Sequence, residues 1–239
     1  MRSARDYLEK WGRPYEILVV DDGSSDATGA TVRELVNDRI HLLTLEENQG
    51  KFAALRAGMT QATGSCRVFT DADLPYDLEA LPYVAELINS QGFQLAVGDR
   101  SLSESQSLTS SRVARKASSR VFSFCVRMLV TGGLFDSQCG FKAFDGRVAE
   151  AIFPLLTDTG FSGDVELLYI ALKYNLSIRR IPVRLQRSSP STVRIRAHSL
   201  PMLTRILRLR RNWTSGRYAS ETLANLGSQA YWTAADQGQ

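Results

Sequence analysis

Histidine and cysteine are scarce in this chain, and their placement excludes whole classes of chemistry. Two histidines occur in 239 residues, His41 in a strand-like run and His198 in a basic segment, so neither a histidine base nor a histidine-held metal is indicated. The three cysteines, Cys66, Cys125 and Cys139, are widely spaced and form no CxxC pair. That argues against a disulfide framework and a zinc site and leaves buried thiols. No run of about 18 apolar residues exists, as a spanning helix would need, and residues 1–15 lack the apolar centre of a signal peptide. The expected location is therefore the cytoplasm. Acid is missing too: residues 167–220 hold no Asp or Glu and 12 Lys or Arg, leaving 17 basic against 25 acidic residues elsewhere. A stretch so cationic points to an anionic partner such as a membrane surface or a phosphate. A nucleic-acid partner is disfavoured despite the pI of 9.1, because the charge is not interleaved with stacking aromatics.

What is present is a soluble-type composition, 44% apolar, sufficient for one α/β domain or two small ones. The informative stretch is Val68–Pro75, VFTDADLP. An apolar run stops at two aspartates one residue apart, Asp71 and Asp73, and Pro75 ends the strand. Two hard carboxylates at a strand's carboxyl end suit Mg²⁺ or Mn²⁺ carrying substrate phosphates, although a solvated turn has the same composition. Glu16–Val20 reads as a strand buried on both faces, ending in Asp21-Asp22-Gly23, so a second acidic pair stands at a strand end. Lys51 follows the turn Asn48-Gln49-Gly50 at the start of a helix, where backbone N–H groups favour an anion; a plain surface lysine is the other reading.

Further strands are expected at Ile40–Leu45, Gln94–Val97 and Ser177–Leu185, and helices at Asp77–Asn89, Ser111–Val130 and Phe161–Tyr174. This alternation predicts a mainly parallel sheet with helices on both faces. Asp164 and Glu166 are read as a cap and a surface acid, or as acids facing the site. Arg187–Arg196 is a hydroxyl- and arginine-rich loop suited to a phosphate. Met202, Ile206, Leu209 and Trp213 recur at helical spacing with Arg205, Arg208 and Arg211 on another face, which fits a helix lying on a membrane or a core helix with a basic outer side. The organisation expected is a domain over 1–199, a basic amphipathic helix over 200–213, and a poorly ordered tail over 214–239.

VVDDGSSD, NQGK, DADLP, DSQCGFKAF and GDVELLYIA, in this order, give the chain a resemblance to the family 2 inverting glycosyltransferases of GT-A fold, over about residues 5–212. More narrowly it resembles the polyprenyl-phosphate sugar transferases, closest to the dolichyl-phosphate β-glucosyltransferase branch. The resemblance implies a Rossmann-like sheet and transfer of a hexose, glucose, from UDP-glucose to a polyprenyl phosphate at a membrane surface. It implies that Asp21, Asp22, Gly23, Lys51 and Asp71 meet the nucleotide, and that Asp71 and Asp73 hold the metal. Asp71, Asp73 and Asp164 would carry the catalytic role, with Asp164 matching loosely the acid that serves as base towards hydroxyl acceptors. Arg100, Arg115, Ser119, Arg127, Lys142 and Arg187 would border the acceptor phosphate. The resemblance also implies a first strand reading roughly V-I-P-A-Y-N-E, which this sequence does not contain. The sheet is therefore expected to lack an inner strand beside VFTDADLP, and the exposed apolar edge to make this chain prone to aggregate.

Overall fold

A computed structural model describes residues 2–107, 136, 138–160, 162–186 and 199–236. The expected helix over 111–130 and loop over 187–196, with Arg115, Ser119, Arg127 and Arg187, fall outside the described residues.

The strands are β1 (Ile17–Asp21), β2 (Ile40–Thr44), β3 (Cys66–Phe69), β4 (Leu95–Asp99), β5 (Gln106–Ser107), β6 (Lys142–Asp145), β7 (Ile178–Pro182) and β8 (Arg184–Leu185). The helices are α1 (Arg2–Trp11), α2 (Thr28–Arg33), α3 (Lys51–Gln61), α4 (Ala80–Asn89), α5 (Gly146–Ile152), α6 (Gly163–Lys173), α7 (Ser199–Thr214) and α8 (Glu221–Asp236). A four-stranded sheet has the order β3-β6-β4-β7, β1 and β2 form a parallel pair, and β5 pairs with β8.

Strands β4 and β7 run parallel, but β6 runs antiparallel to both of its neighbours. The four-stranded sheet is thus mixed, with β6 as its antiparallel member. The reversal brings the chain into β6 from the end at which β3 and β4 leave, so the turn ahead of Lys142 lies over the aspartates that follow β3. Among the described residues no ladder joins β1 to β3, which belong to different sheets.

Period-two alternation divides the sheet's side chains between two cores. On one face Ala96, Ala143 and Ile181 pack with Val84, Leu87 and Ile88 of α4. On the other, Leu95, Phe144 and Phe69 meet α3, α5, α6 and residues of α7 and α8. There Phe144 stacks on Phe69 at 5.9 Å and meets the edge of Phe153 at 5.3 Å, arrangements that add to simple burial. All five residues of β4 are buried, which explains the apolar run Leu95–Val97 ahead of Gly98 and Asp99.

Helix α3 starts after Gly50, whose φ of 101° suits glycine, and it touches both β1 and β3. The approach to β1 is close: a Cβ on Gly58 would lie 2.8 Å from Val20 Cγ2. Helix α5 is capped by Asp145, which accepts the Arg147 N–H at 2.8 Å. Helix α7 packs on protein through Leu209, which is buried, and through Trp213, whose ring meets those of Tyr174 at 5.3 Å and Tyr169 at 6.4 Å. These two members of the apolar stripe therefore face the core, whereas Leu207 is 58% exposed.

The tail reading also differs from the structure. Tyr218, Leu223 and Leu226 are buried, the Gln94 side chain donates to Leu226 O at 2.7 Å, and α8 packs on α5. Leu223 and Leu226 sit three apart, too sparse a pattern to reveal a helix until α5 supplies the surface that they cover.

Candidate active site

The acidic turn after β3 is tightly wound. Leu74 N–H bonds to Asp71 O at 2.9 Å, and Leu74 itself takes φ 49°, a strained value for a leucine before proline. Such strain persists where the surroundings enforce it. Here Pro75 O accepts Gln186 N–H and Arg184 O accepts Asp77 N–H, docking the turn on β8. Asp71 and Asp73 are consequently presented at the carboxyl end of the sheet.

Lys51, on the first turn of α3, donates to Asp71 Oδ1 at 2.6 Å, and the Asp71 side chain keeps 40% of its exposure. The opposite side of this carboxylate rests on Gly140, where an added Cβ would stand 2.2 Å from Asp71 Oδ2. Only glycine leaves room for Asp71 there.

Behind this pair is a second one. Lys142 is fully buried and donates to Asp164 Oδ1 at 2.5 Å and to Cys139 O at 2.6 Å. Burial pushes the Asp164 carboxyl above the ordinary range while the Lys142 ammonium pulls it back, and the charges of Lys51 and Asp71 also reach it. Lys51, Asp71, Asp164 and Lys142 are thus one electrostatic neighbourhood drawn from four separate segments.

The remaining expected residues are held in place by local bonds. Asp21 is buried and accepts Ser24 N–H at 3.0 Å, while Asp22 accepts the N–H groups of Gln49 and Gly50, both at 2.9 Å. These acids shape the turn after β1 and the approach to α3. Gly23 has φ 67° and lies against the backbone of Glu47 and Asn48. Arg100 grips Asp136 through Nε at 2.5 Å and Nη2 at 2.8 Å. Lys142, expected beside an acceptor phosphate, is instead interior, because Asp164 and the Cys139 carbonyl take its donors.

The reading of Asp164 and Glu166 as a cap and a surface acid does not describe the structure. Both are buried; Glu166 serves the loop before α6 instead of solvent, and Ser162 makes no side-chain cap bond. The pairs Arg67–Glu150 and Arg180–Asp99, in which only Arg67 and Asp99 are buried, were not legible from sequence, since their partners come from distant segments without a local pattern.

Among the described residues no group of three or more His, Cys, Asp or Glu could enclose a metal. Asp71 and Asp73 nevertheless fit an ion of the magnesium type, which binds one or two carboxylates and keeps its other positions for water and substrate phosphate. No described helix is long and apolar enough to cross a membrane.

The family model described as glycosyl transferase family 2 matches residues 2–153. Among similar proteins, the dolichyl-phosphate beta-glucosyltransferase of Dictyostelium discoideum is 30% identical over 210 residues, 84% of this chain and 64% of that protein. The Homo sapiens protein of that name is 33% identical over 198 residues, 77% of this chain and 61% of its own length. The chain thus spans somewhat over three fifths of these relatives. In structure it is similar to glucosyl-3-phosphoglycerate synthase from Mycobacterium tuberculosis, with a TM-score of 0.56 at 21% identity over 81% of this chain and 68% of that one. The same enzyme with Mn²⁺, UDP-glucose and phosphoglyceric acid gives 0.50 at 17% identity, over 84% of this chain and 68% of that one. The shared architecture is the GT-A fold, and with more than half of its length matched by the family model the chain belongs to glycosyl transferase family 2.

Proposed function

We propose that this chain is an inverting glycosyltransferase that moves glucose from UDP-glucose to a polyprenyl (dolichyl) phosphate at a membrane surface. The observation that carries the reading is the contact of Lys51 with Asp71 at the carboxyl end of the sheet, in the turn that also carries Asp73, beside an Asp164 whose carboxylate is already taken by Lys142. The relatives' printed name, dolichyl-phosphate beta-glucosyltransferase, and the neighbour's complex with Mn²⁺ and UDP-glucose support the choice of donor and acceptor.

Breaking the sugar–diphosphate bond leaves negative charge on the departing nucleoside diphosphate. Lys51, at a helix amino end, supplies fixed positive charge toward that diphosphate. Asp71 and Asp73 would hold a divalent ion, Mg²⁺ or Mn²⁺, whose contribution when bound is to offset the leaving group's charge without proton transfer. The nucleophile must come from the acceptor. Asp164 is interior and paired, whereas a phosphate monoester with a second pKa of about 6 is largely a dianion at neutral pH and attacks the anomeric carbon without a strong enzymic base. Attack opposite to the leaving diphosphate inverts the anomeric centre.

The exposed Arg208 and Arg211, next to the exposed Leu207, favour peripheral contact with an anionic leaflet at about 1 kcal/mol per basic residue before screening. The packing of Leu209 and Trp213 on α6 favours a second reading, in which the acceptor is a soluble phosphate and α7 is a core helix. Incubation with UDP-glucose, Mg²⁺ or Mn²⁺ and either a short polyprenyl phosphate or soluble phosphate monoesters separates the two. Lipid-linked glucose of inverted configuration is expected; transfer confined to soluble acceptors overturns the lipid reading, and no metal-dependent UDP release with any acceptor overturns the enzyme reading.

A further inference from the structure

One more interior carboxylate is fully engaged and has no part in the chemistry above. Glu166 is 1% exposed, and four donors converge on it. Its Oε2 accepts the N–H groups of Thr157 at 2.9 Å and Asp158 at 2.8 Å. Its Oε1 accepts the hydroxyls of Thr157 at 2.6 Å and Tyr218 at 2.5 Å. Three of these donors belong to the loop before α6, and the fourth comes from beyond α7.

That loop bears directly on the amino end of α3. Asp158 winds it by accepting Gly160 N–H and the Ser162 hydroxyl, and the intervening Thr159 O accepts Phe52 N–H at 2.9 Å. A Cβ on Gly50 would stand 2.6 Å from the same Thr159 O, and one on Gly163 would stand 2.2 Å from the Phe52 ring. From the other side, Asp22 holds the N–H groups of Gln49 and Gly50. The first turn of α3, which carries Lys51 to Asp71, is therefore clamped between Asp22 and the Glu166-supported loop.

Tyr218 anchors the far end of this chain of bonds. It is 1% exposed, its hydroxyl accepts Asn212 Nδ2–H at 2.9 Å, and its carbonyl accepts the Tyr174 hydroxyl at 2.7 Å. Burial, then the adjacent Glu166 carboxylate, push the phenol well above its ordinary range, so it remains a donor at any working pH.

We propose that Tyr218 is a positioning residue for donor binding: through Glu166 and the Thr157–Gly160 loop it fixes the start of α3, and with it Lys51 at the diphosphate. The inference rests on the donor reading above. Its signature is a change in donor affinity rather than in the chemical step, because Tyr218 touches no reacting group.

The test uses the whole chain with Tyr218→Phe and Thr157→Val, which each remove one hydroxyl from Glu166 and keep the side chain's bulk. Expected is a rise of about five- to tenfold in KM for UDP-glucose with kcat held within about twofold, and an equal weakening of UDP binding in calorimetric titration. Because both hydroxyls act on one carboxylate, the double variant should show less than the product of the single effects. A lowered melting temperature with unchanged KM and UDP affinity would show a merely structural role and overturn the proposal, as would a fall in kcat alone. UDP titration keeps the two readings apart. Wild type that binds UDP but glucosylates no lipid phosphate defeats the acceptor assignment and leaves the relay to be decided by the titrations, whereas wild type that binds no UDP overturns both.

Discussion

The Lys142 ammonium and the Asp164 carboxylate meet at 2.5 Å in the interior, with side-chain exposures of 0% and 5%. Each charge is tolerated there because the other is present, and Lys142 also satisfies the Cys139 carbonyl. The pair holds the turn before β6 against the start of α6, one layer behind the exposed Asp71.

Removing one partner strands the other. Lys142→Met is expected to destabilise the fold by about 3–5 kcal/mol, the usual cost of leaving a buried charge uncompensated; Lys142→Met with Asp164→Asn should recover much of that loss. Urea titrations of the two single variants and the double variant measure it. Asp164→Asn alone should lower transfer without abolishing it if the acceptor supplies its own anionic oxygen. Complete loss of turnover in a folded Asp164→Asn protein would assign Asp164 an indispensable chemical role.

Gly140→Ala addresses Asp71 without touching it. The added methyl would stand 2.2 Å from Asp71 Oδ2 and 3.0 Å from Cγ, so the carboxylate must swing away, which costs little stability because it is a side-chain end. The expectation is a melting temperature near that of wild type with transfer reduced at least about tenfold, equivalent to about 1.4 kcal/mol in the barrier. Parallel thermal melts and initial rates test this.

Asp99 predicts a component of acid sensitivity. Burial alone would raise its carboxyl, but hydrogen bonds from Ser101 and Arg180 overcome that and hold it below the ordinary value of 3.8. A depressed carboxyl contributes stability that is complete above the unfolded value and is lost as pH falls through the folded one. In Asp99→Asn this contribution disappears. Stability should then fall less between about pH 5 and the acid limit than in wild type, as read from urea midpoints along a pH series.

Leu223 tests the segment beyond α7. It is completely buried, so Leu223→Ala should cost about 2–5 kcal/mol, whereas a frayed tail would tolerate it. Denaturant midpoints distinguish the two.

The legible parts of this fold were those in which one short segment contains its own explanation. Asp71 and Asp73 close an apolar run and precede a proline, and Lys51 follows a glycine turn at a helix start, so both positions follow from local chemistry. Lys142 was expected beside the acceptor phosphate, because nothing nearby in sequence announces that Asp164 will cover it. Glu166 lay beyond sequence reasoning for the same reason: its donors come from residues 157, 158 and 218, and only the folded chain assembles them. The antiparallel course of β6 is not written in the sequence, because a strand's direction depends on where the preceding segment enters, and composition does not record that. The basic helix was misleading in part, since Leu209 and Trp213 would look the same facing lipid or facing Tyr169 and Tyr174.

The grip of Arg100 on Asp136 has a bearing on how this scaffold can be re-engineered. Backbone and guanidinium donors of one residue close on a single carboxylate, so the chain leaving β4 and the chain arriving at β6 are fastened at one point by groups at its two margins. Re-engineering that spares this clasp keeps both margins tied, whereas replacing either residue releases them together.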